Sequence, residues 1–205
     1  MAGRHVLVTG FAPFSGDTIN PSESLAKAAD GWAVGPFTVR SLILPVQPEA
    51  ARDAMSGALA TEGLGAVVHL GLAAGRDRVS LERVAINVMD YEIPDARGDV
   101  RRDEACVPGG PVAYWSTLPL REILAEFAAD GIPAHLSYSA GAYLCNYTFY
   151  TTLHALAERA LPIPAGFVHV PLLPSMVAAH GREESSMDLG IMMRALATVL
   201  RVIAS

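Results

Sequence analysis

The feature that most constrains this chain is alternation: short apolar runs rich in β-branched residues, each followed by a longer stretch with helical spacing. Such runs read as strands buried on both faces, so the pattern predicts an α/β fold with helices above and below one sheet. The runs are His5 to Gly10, Thr38 to Leu44, Ala66 to Gly71, Val79 to Val88, Ala134 to Tyr138 and Phe167 to Val170. Helices are expected from Pro21 to about Ala29, Pro48 to Thr61, Leu118 to Ala129, Ala142 to Ala160 and Ser186 to Ala204. The first is marked best: Asn20 is an N-cap residue, Pro21 suits the first helical position and Glu23 favours the first turn. The last opens with Ser185-x-x-Asp188 and carries Met192, Leu196, Val199 and Ile203 on one stripe, which is core or subunit interface.

No repeat or composition break divides the 205 residues, so a single domain over 1–205 is expected. With 51% hydrophobic and 18% charged residues the chain is too apolar to be disordered. A net charge of −6, with fourteen Arg and one Lys (Lys27), leaves no basic face for nucleic acid or anionic lipid. Cys106 and Cys145 are too few to staple a secreted scaffold. The N-terminal apolar run is shorter than the roughly 7 to 15 residues of a signal peptide. No run approaches the roughly 18 of a membrane span, so a cytoplasmic location is expected. Asp95 to Glu104 holds seven charged residues between prolines and glycines. It reads either as a mobile lid over a site or as a solvated surface excursion.

Three chemistries fail on local pattern. Val6-Leu7-Val8-Thr9-Gly10 ends like a nucleotide-binding strand, but Phe11 to Ser15 separate Gly10 from Gly16 and the helix waits until Pro21. Two Phe in a turn after the strand suggest an apolar wall instead. Ser137-Tyr138-Ser139-Ala140-Gly141 has Ser where a nucleophile elbow needs its first Gly, so Ser139 is a turn or cap residue. The six histidines show no paired metal-ligand spacing, and no metal is expected.

Cysteine chemistry fits better. A strand to Tyr138, a turn of small residues and a helix put Cys145 in a first helical turn, where the helix dipole favours a thiolate. The alternative is an inert buried cysteine. His169 lies in a short apolar strand and reads as a core histidine unless it has a partner. Glu82 shares a strand face with Ser80, Val84, Ile86 and Val88, so its carboxylate needs a partner: a histidine, or else Arg76 or Arg83.

Taken together, five stretches resemble the pyrrolidone carboxyl peptidase (pyroglutamyl peptidase I) family, in that family's order. They are Val8 to Phe14 with Asn20-Pro21-Ser22, Gly71 to Arg76, Leu81 to Asn87, Ser139 to Tyr147 and Gly166 to Pro171. The resemblance implies a single three-layer αβα domain with a mixed, mostly parallel sheet, no cofactor and commonly a homotetramer. It implies a cysteine peptidase that removes N-terminal pyroglutamate from peptides, with Cys145 as nucleophile, His169 as base then acid, and Glu82 orienting His169. Phe11 and Phe14 match residues that flank the pyroglutamyl ring. Backbone groups of the Gly71 to Gly75 turn, including Leu72 and Ala73, are expected to pair with the ring's N–H and C=O. The oxyanion is expected at amides opening the Cys145 helix, with Arg76 or Arg83 as a helper. Tyr138, Glu92, Leu72 and Ser15 depart from residues common in the family.

Overall fold

The computed structural model describes residues 3–181 and 183–205. The strand runs assemble into a seven-stranded sheet that uses β1 (His5–Phe11), β2 (Ala33–Val34), β3 (Phe37–Leu44), β4 (Leu64–Leu72), β5 (Val79–Glu82), β8 (Ala134–Ser137) and β9 (Ala165–Val170). Its order is β2-β3-β1-β4-β9-β5-β8. The pairs β3/β1, β1/β4, β4/β9 and β5/β8 are parallel, whereas β5/β9 and the short β2/β3 are antiparallel. The sheet is therefore mixed and mostly parallel, as the resemblance implies.

Successive side chains of a strand face opposite ways, so each central strand feeds two cores. Val6 and Val8 of β1, with Val168 and Val170 of β9, pack with α1 (Pro21–Ala29), α3 (Leu120–Ala129), α5 (Pro174–His180) and α6 (Leu189–Ile203). Leu7 and Phe11, with Ala165 and Phe167, pack on the other face with α2 (Pro48–Leu59) and α4 (Leu144–Glu158). All seven residues of β1 and all six of β9 are buried, which explains why these strands read as continuous apolar runs.

Gly10 has a structural reason. A Cβ there would lie 2.2 Å from the Ser22 carbonyl oxygen, so glycine lets the start of α1 press on β1. Asn20 caps that helix by accepting from the Ser22 amide.

Two expectations change. Val79 to Val88 is not one strand: at Arg83 the chain leaves the main sheet, its amide bonding Ser137 and its carbonyl bonding Ser116. It continues as β6 (Val84–Ile86), paired only with β7 (Ala113–Trp115) in a separate ribbon. Val84, Ile86 and Val88 therefore do not share the face of Glu82. The last helix begins at Leu189 with Asp188, not Ser185, as its cap. Helix α5 and strands β2 and β7 go unread in the sequence because each is seven residues or fewer. Asp95 to Glu104 is laced to the body: Ala96 bonds Val46, Met89 and Glu104 exchange backbone bonds, and Arg101 pairs with Glu49. No helix among the described residues is long and apolar enough to cross a membrane.

Candidate active site

The site forms where strand register and one missing side chain coincide. Gly71 of β4 lies directly across from His169 of β9, so both positions face the same side of the sheet. A Cβ on Gly71 would lie 3.0 Å from Cys145 Sγ and 2.7 Å from the Phe167 ring. Glycine at 71 thus lets the thiol settle onto the sheet over the position paired with His169. Sequence reasoning treats Gly71 as a flexible turn; the legible signal is a glycine ending a buried strand.

Cys145 is the second residue of α4, as its expected first-turn placement requires. The helix opens at Tyr143 with no side-chain cap, so its first amides have no side-chain partner. The neighbouring Asn146 is fully buried. Its side chain accepts from the Ile86 amide at 2.9 Å and donates to the Ile86 and Val88 carbonyls at 2.8 and 3.0 Å. That pins the β6 ribbon to the turn bearing Cys145, a role visible in the sequence only as an amide on an apolar helix.

On the antiparallel side, Ser80 pairs with His169 and Glu82 with Phe167, which sets the Glu82 carboxylate diagonally below the imidazole. Glu82 Oε1 accepts from His169 Nδ1 at 2.8 Å and from Arg76 Nη1 at 2.6 Å. The sequence poses histidine and arginine as alternatives, and the carboxylate takes both. Arg76 also donates to the Ser139 carbonyl, 3.0 Å away, and so ties Glu82 to the turn before α4. Arg83 lies over the exposed Tyr138 ring instead, and Ser139 accepts from the Gly141 amide as a turn residue.

Burial by itself would raise the Glu82 carboxyl, but the hydrogen bond and charge of His169, with Ser137 and Arg76, hold it below its usual value. For His169, burial outweighs the opposing pull of Glu82 and keeps the imidazole below its ordinary value. The Cys145 thiol is pushed up to about 12, first by burial and then by the Glu82 charge, against the weaker help of Arg76. Burial therefore works against the thiolate that the helix start favours. A helix terminus supplies at most about 2 kcal/mol, roughly one and a half pH units, and loses to desolvation here. Among the described residues no hydrogen bond joins Sγ to the ring.

Cys145 opens into a cavity of about 520 Å³. Its walls come from the ends of parallel strands and the loops after them: Phe11 and Phe14, Val46, Leu72 and Ala74, and Leu172. This is where open α/β sheets bind ligands. Phe14 packs on Tyr143 at 6.0 Å. Phe11, expected in the turn, instead ends β1; it is 4% exposed and packs on Phe167 in the core. Leu72 lines the cavity, but Ala73 does not, because its amide extends the sheet ladder to the Val170 carbonyl at 2.9 Å. Glu92 is exposed and outside the cavity lining. Among the described residues no three His, Cys, Asp or Glu side chains are grouped to hold a metal ion.

The sequence profile of a family described as pyroglutamyl peptidase (Peptidase C15) matches residues 4–205. The pyrrolidone-carboxylate peptidase of Pyrococcus furiosus is 45% identical over 172 residues, 84% of this chain and 83% of that protein. The pyrrolidone-carboxylate peptidase of Gloeobacter violaceus is 40% identical over 200 residues, 98% of this chain and 97% of its own. The crystal structure of the Pyrococcus furiosus pyrrolidone carboxyl peptidase superimposes with a TM-score of 0.94 at 40% identity, covering 97% of each chain.

Proposed function

The chain belongs to the pyroglutamyl peptidase family, and from that premise we propose that it removes an N-terminal pyroglutamyl residue from peptides through Cys145, His169 and Glu82. The observation that carries the reading is the carboxylate–imidazole bond beside the thiol: His169 Nδ1 is fixed by Glu82, which leaves Nε2 to accept a proton.

His169 Nε2 takes the Cys145 proton as Sγ adds to the pyroglutamyl carbonyl. The imidazolium so formed is stabilised by Glu82, whose charge Arg76 keeps in place. Amides of the uncapped first turn of α4 face the developing oxyanion. His169 then donates its proton to the departing amine, and water releases the acyl group from sulfur.

Pyroglutamate is a flat neutral lactam with no terminal amine to grip. Phe14, Leu72 and the Phe11 edge offer apolar walls suited to it. Peptide groups that pair with the lactam would reject proline, which lacks the ring carbonyl, since they would be left unpaired. Release of a chromogenic amine from a pyroglutamyl amide, with a prolyl amide as control, tests the reading. Release from the first alone, lost on alkylation of Cys145, is expected; no release from either contradicts it.

A further inference from the structure

At the mouth of the same cavity, Asp17 and His180 are the only charged side chains among its described lining residues. They meet across 163 positions of sequence: His180 Nε2 lies 2.8 Å from Asp17 Oδ1. The other ring nitrogen, Nδ1, lies 2.7 Å from Glu184 Oε2. Carboxylates only accept, so an imidazole facing two of them through both nitrogens must carry both protons. His180 is a clamped imidazolium.

What the clamp holds is the loop that carries Phe14. Between β1 and α1 the chain turns through Ser15 at φ 59° and Gly16 at φ 88°, and the Asp17 amide closes back on the Phe14 carbonyl at 3.3 Å. Ser15 is a non-glycine residue in left-handed backbone, a conformation that surrounding contacts must maintain. At its far end the loop is fixed by Asn20 Nδ2 on the Ala12 carbonyl. At its tip it is fixed by Asp17 on His180, the last residue of α5. Phe14 sits between these two attachments.

We propose that His180 is a positioning residue for substrate binding: by joining Asp17 to Glu184 it ties the β1–α1 loop to the end of α5 and fixes the Phe14 wall. The inference rests on the reading of this cavity as the substrate site. It also carries a pH dependence. The hydrogen bonds and charges of Asp17 and Glu184 raise the His180 pKa above its ordinary value. The clamp is therefore complete below the ordinary imidazole range and is lost as pH rises through the raised value. Above that, one nitrogen loses its proton and its bond to the carboxylate that faces it.

The test uses His180→Gln and His180→Lys in the full chain, with melting temperature confirming that each folds. With a pyroglutamyl amide, His180→Gln should raise KM about fivefold at neutral pH, the upper end for a partly exposed ion pair, with kcat moving less. The wild-type KM should climb toward that of His180→Gln in the alkaline range. His180→Lys, which keeps a cation between the carboxylates, should hold KM low there. Hydrogen exchange of residues 12–19, with each variant compared with wild type at the same pH, reads the tether without turnover. Exchange should be faster in His180→Gln at neutral pH and equal to wild type at alkaline pH. Equal exchange at neutral pH, or faster exchange with an unchanged KM, overturns the proposal. A wild type that releases no amine but shows the exchange difference instead refutes the assigned substrate.

Discussion

The two cysteines share one physical condition and differ in everything around it. Burial pushes both thiols up to about 12, so the resting pKa does not separate them. Cys106 faces the Val88 and Ile86 carbonyls at 3.4 and 3.7 Å and the Asn146 amide at 3.9 Å, beside a separate cavity of about 310 Å³. Cys145 sits over Gly71, next to an imidazole backed by a buried carboxylate. Two buried histidines on neighbouring strands repeat the lesson. His69 lies between the Thr9 and Thr152 hydroxyls, and burial lowers it to about 3. His169 has Glu82 to oppose the same burial. A buried thiol or imidazole becomes chemically useful through the charge placed behind it.

The sharpest way to break the cysteine comparison is to remove each thiol. Cys145→Ala should lower turnover by about 10⁴-fold or more, the scale seen when a nucleophile is deleted, with the fold retained. Cys106→Ala should stay active. A reversed outcome in the amide-release assay would place the chemistry in the other region.

Next in size is Glu82→Gln, which keeps the shape and removes the charge. The kcat should fall by about a hundredfold, the effect of losing acid–base positioning, with KM changed far less. The sign in pH follows from the cause. Glu82 raises the His169 pKa, so its neutralisation should move the acid limb of kcat/KM to lower pH. A limb that stays in place would show that Glu82 acts through Arg76 alone. His69→Asn gives the control: a stability loss of about 1 to 3 kcal/mol from broken buried hydrogen bonds, with that limb unmoved.

The two phenylalanines separate wall from core. Phe11→Ala should cost about 3 to 5 kcal/mol of stability, because it empties a packed position beside Phe167. Phe14→Ala should leave the melting temperature nearly unchanged and raise KM by about tenfold, the worth of one aromatic contact. Equal losses of stability would put Phe14 in the core as well.

Much of this arrangement is legible in the sequence, for identifiable reasons. Helix α1 is marked by Asn20, Pro21 and Glu23, and the central strands by unbroken apolar runs, because local chemistry alone decides them. Cys145 is legible as a first-turn residue, and Glu82 as a carboxylate on an apolar strand. What the sequence hides depends on pairing between distant segments. The strand ends at Glu82 because the Arg83 carbonyl is taken by the Ser116 amide, far along the chain. The Ala73 amide is taken by Val170, on a strand far along the chain.

The central claim is that Cys145, with His169 as its base, attacks the pyroglutamyl carbonyl. The most direct measurement is mass spectrometry of the protein quenched in acid during turnover of a pyroglutamyl ester or amide, followed by peptide mapping. The account predicts a mass increase of one pyroglutamyl group on the peptide containing Cys145, absent in Cys145→Ala. The adduct should accumulate when deacylation is slowed. An acyl group on Cys106, or continued turnover by Cys145→Ala, would contradict it.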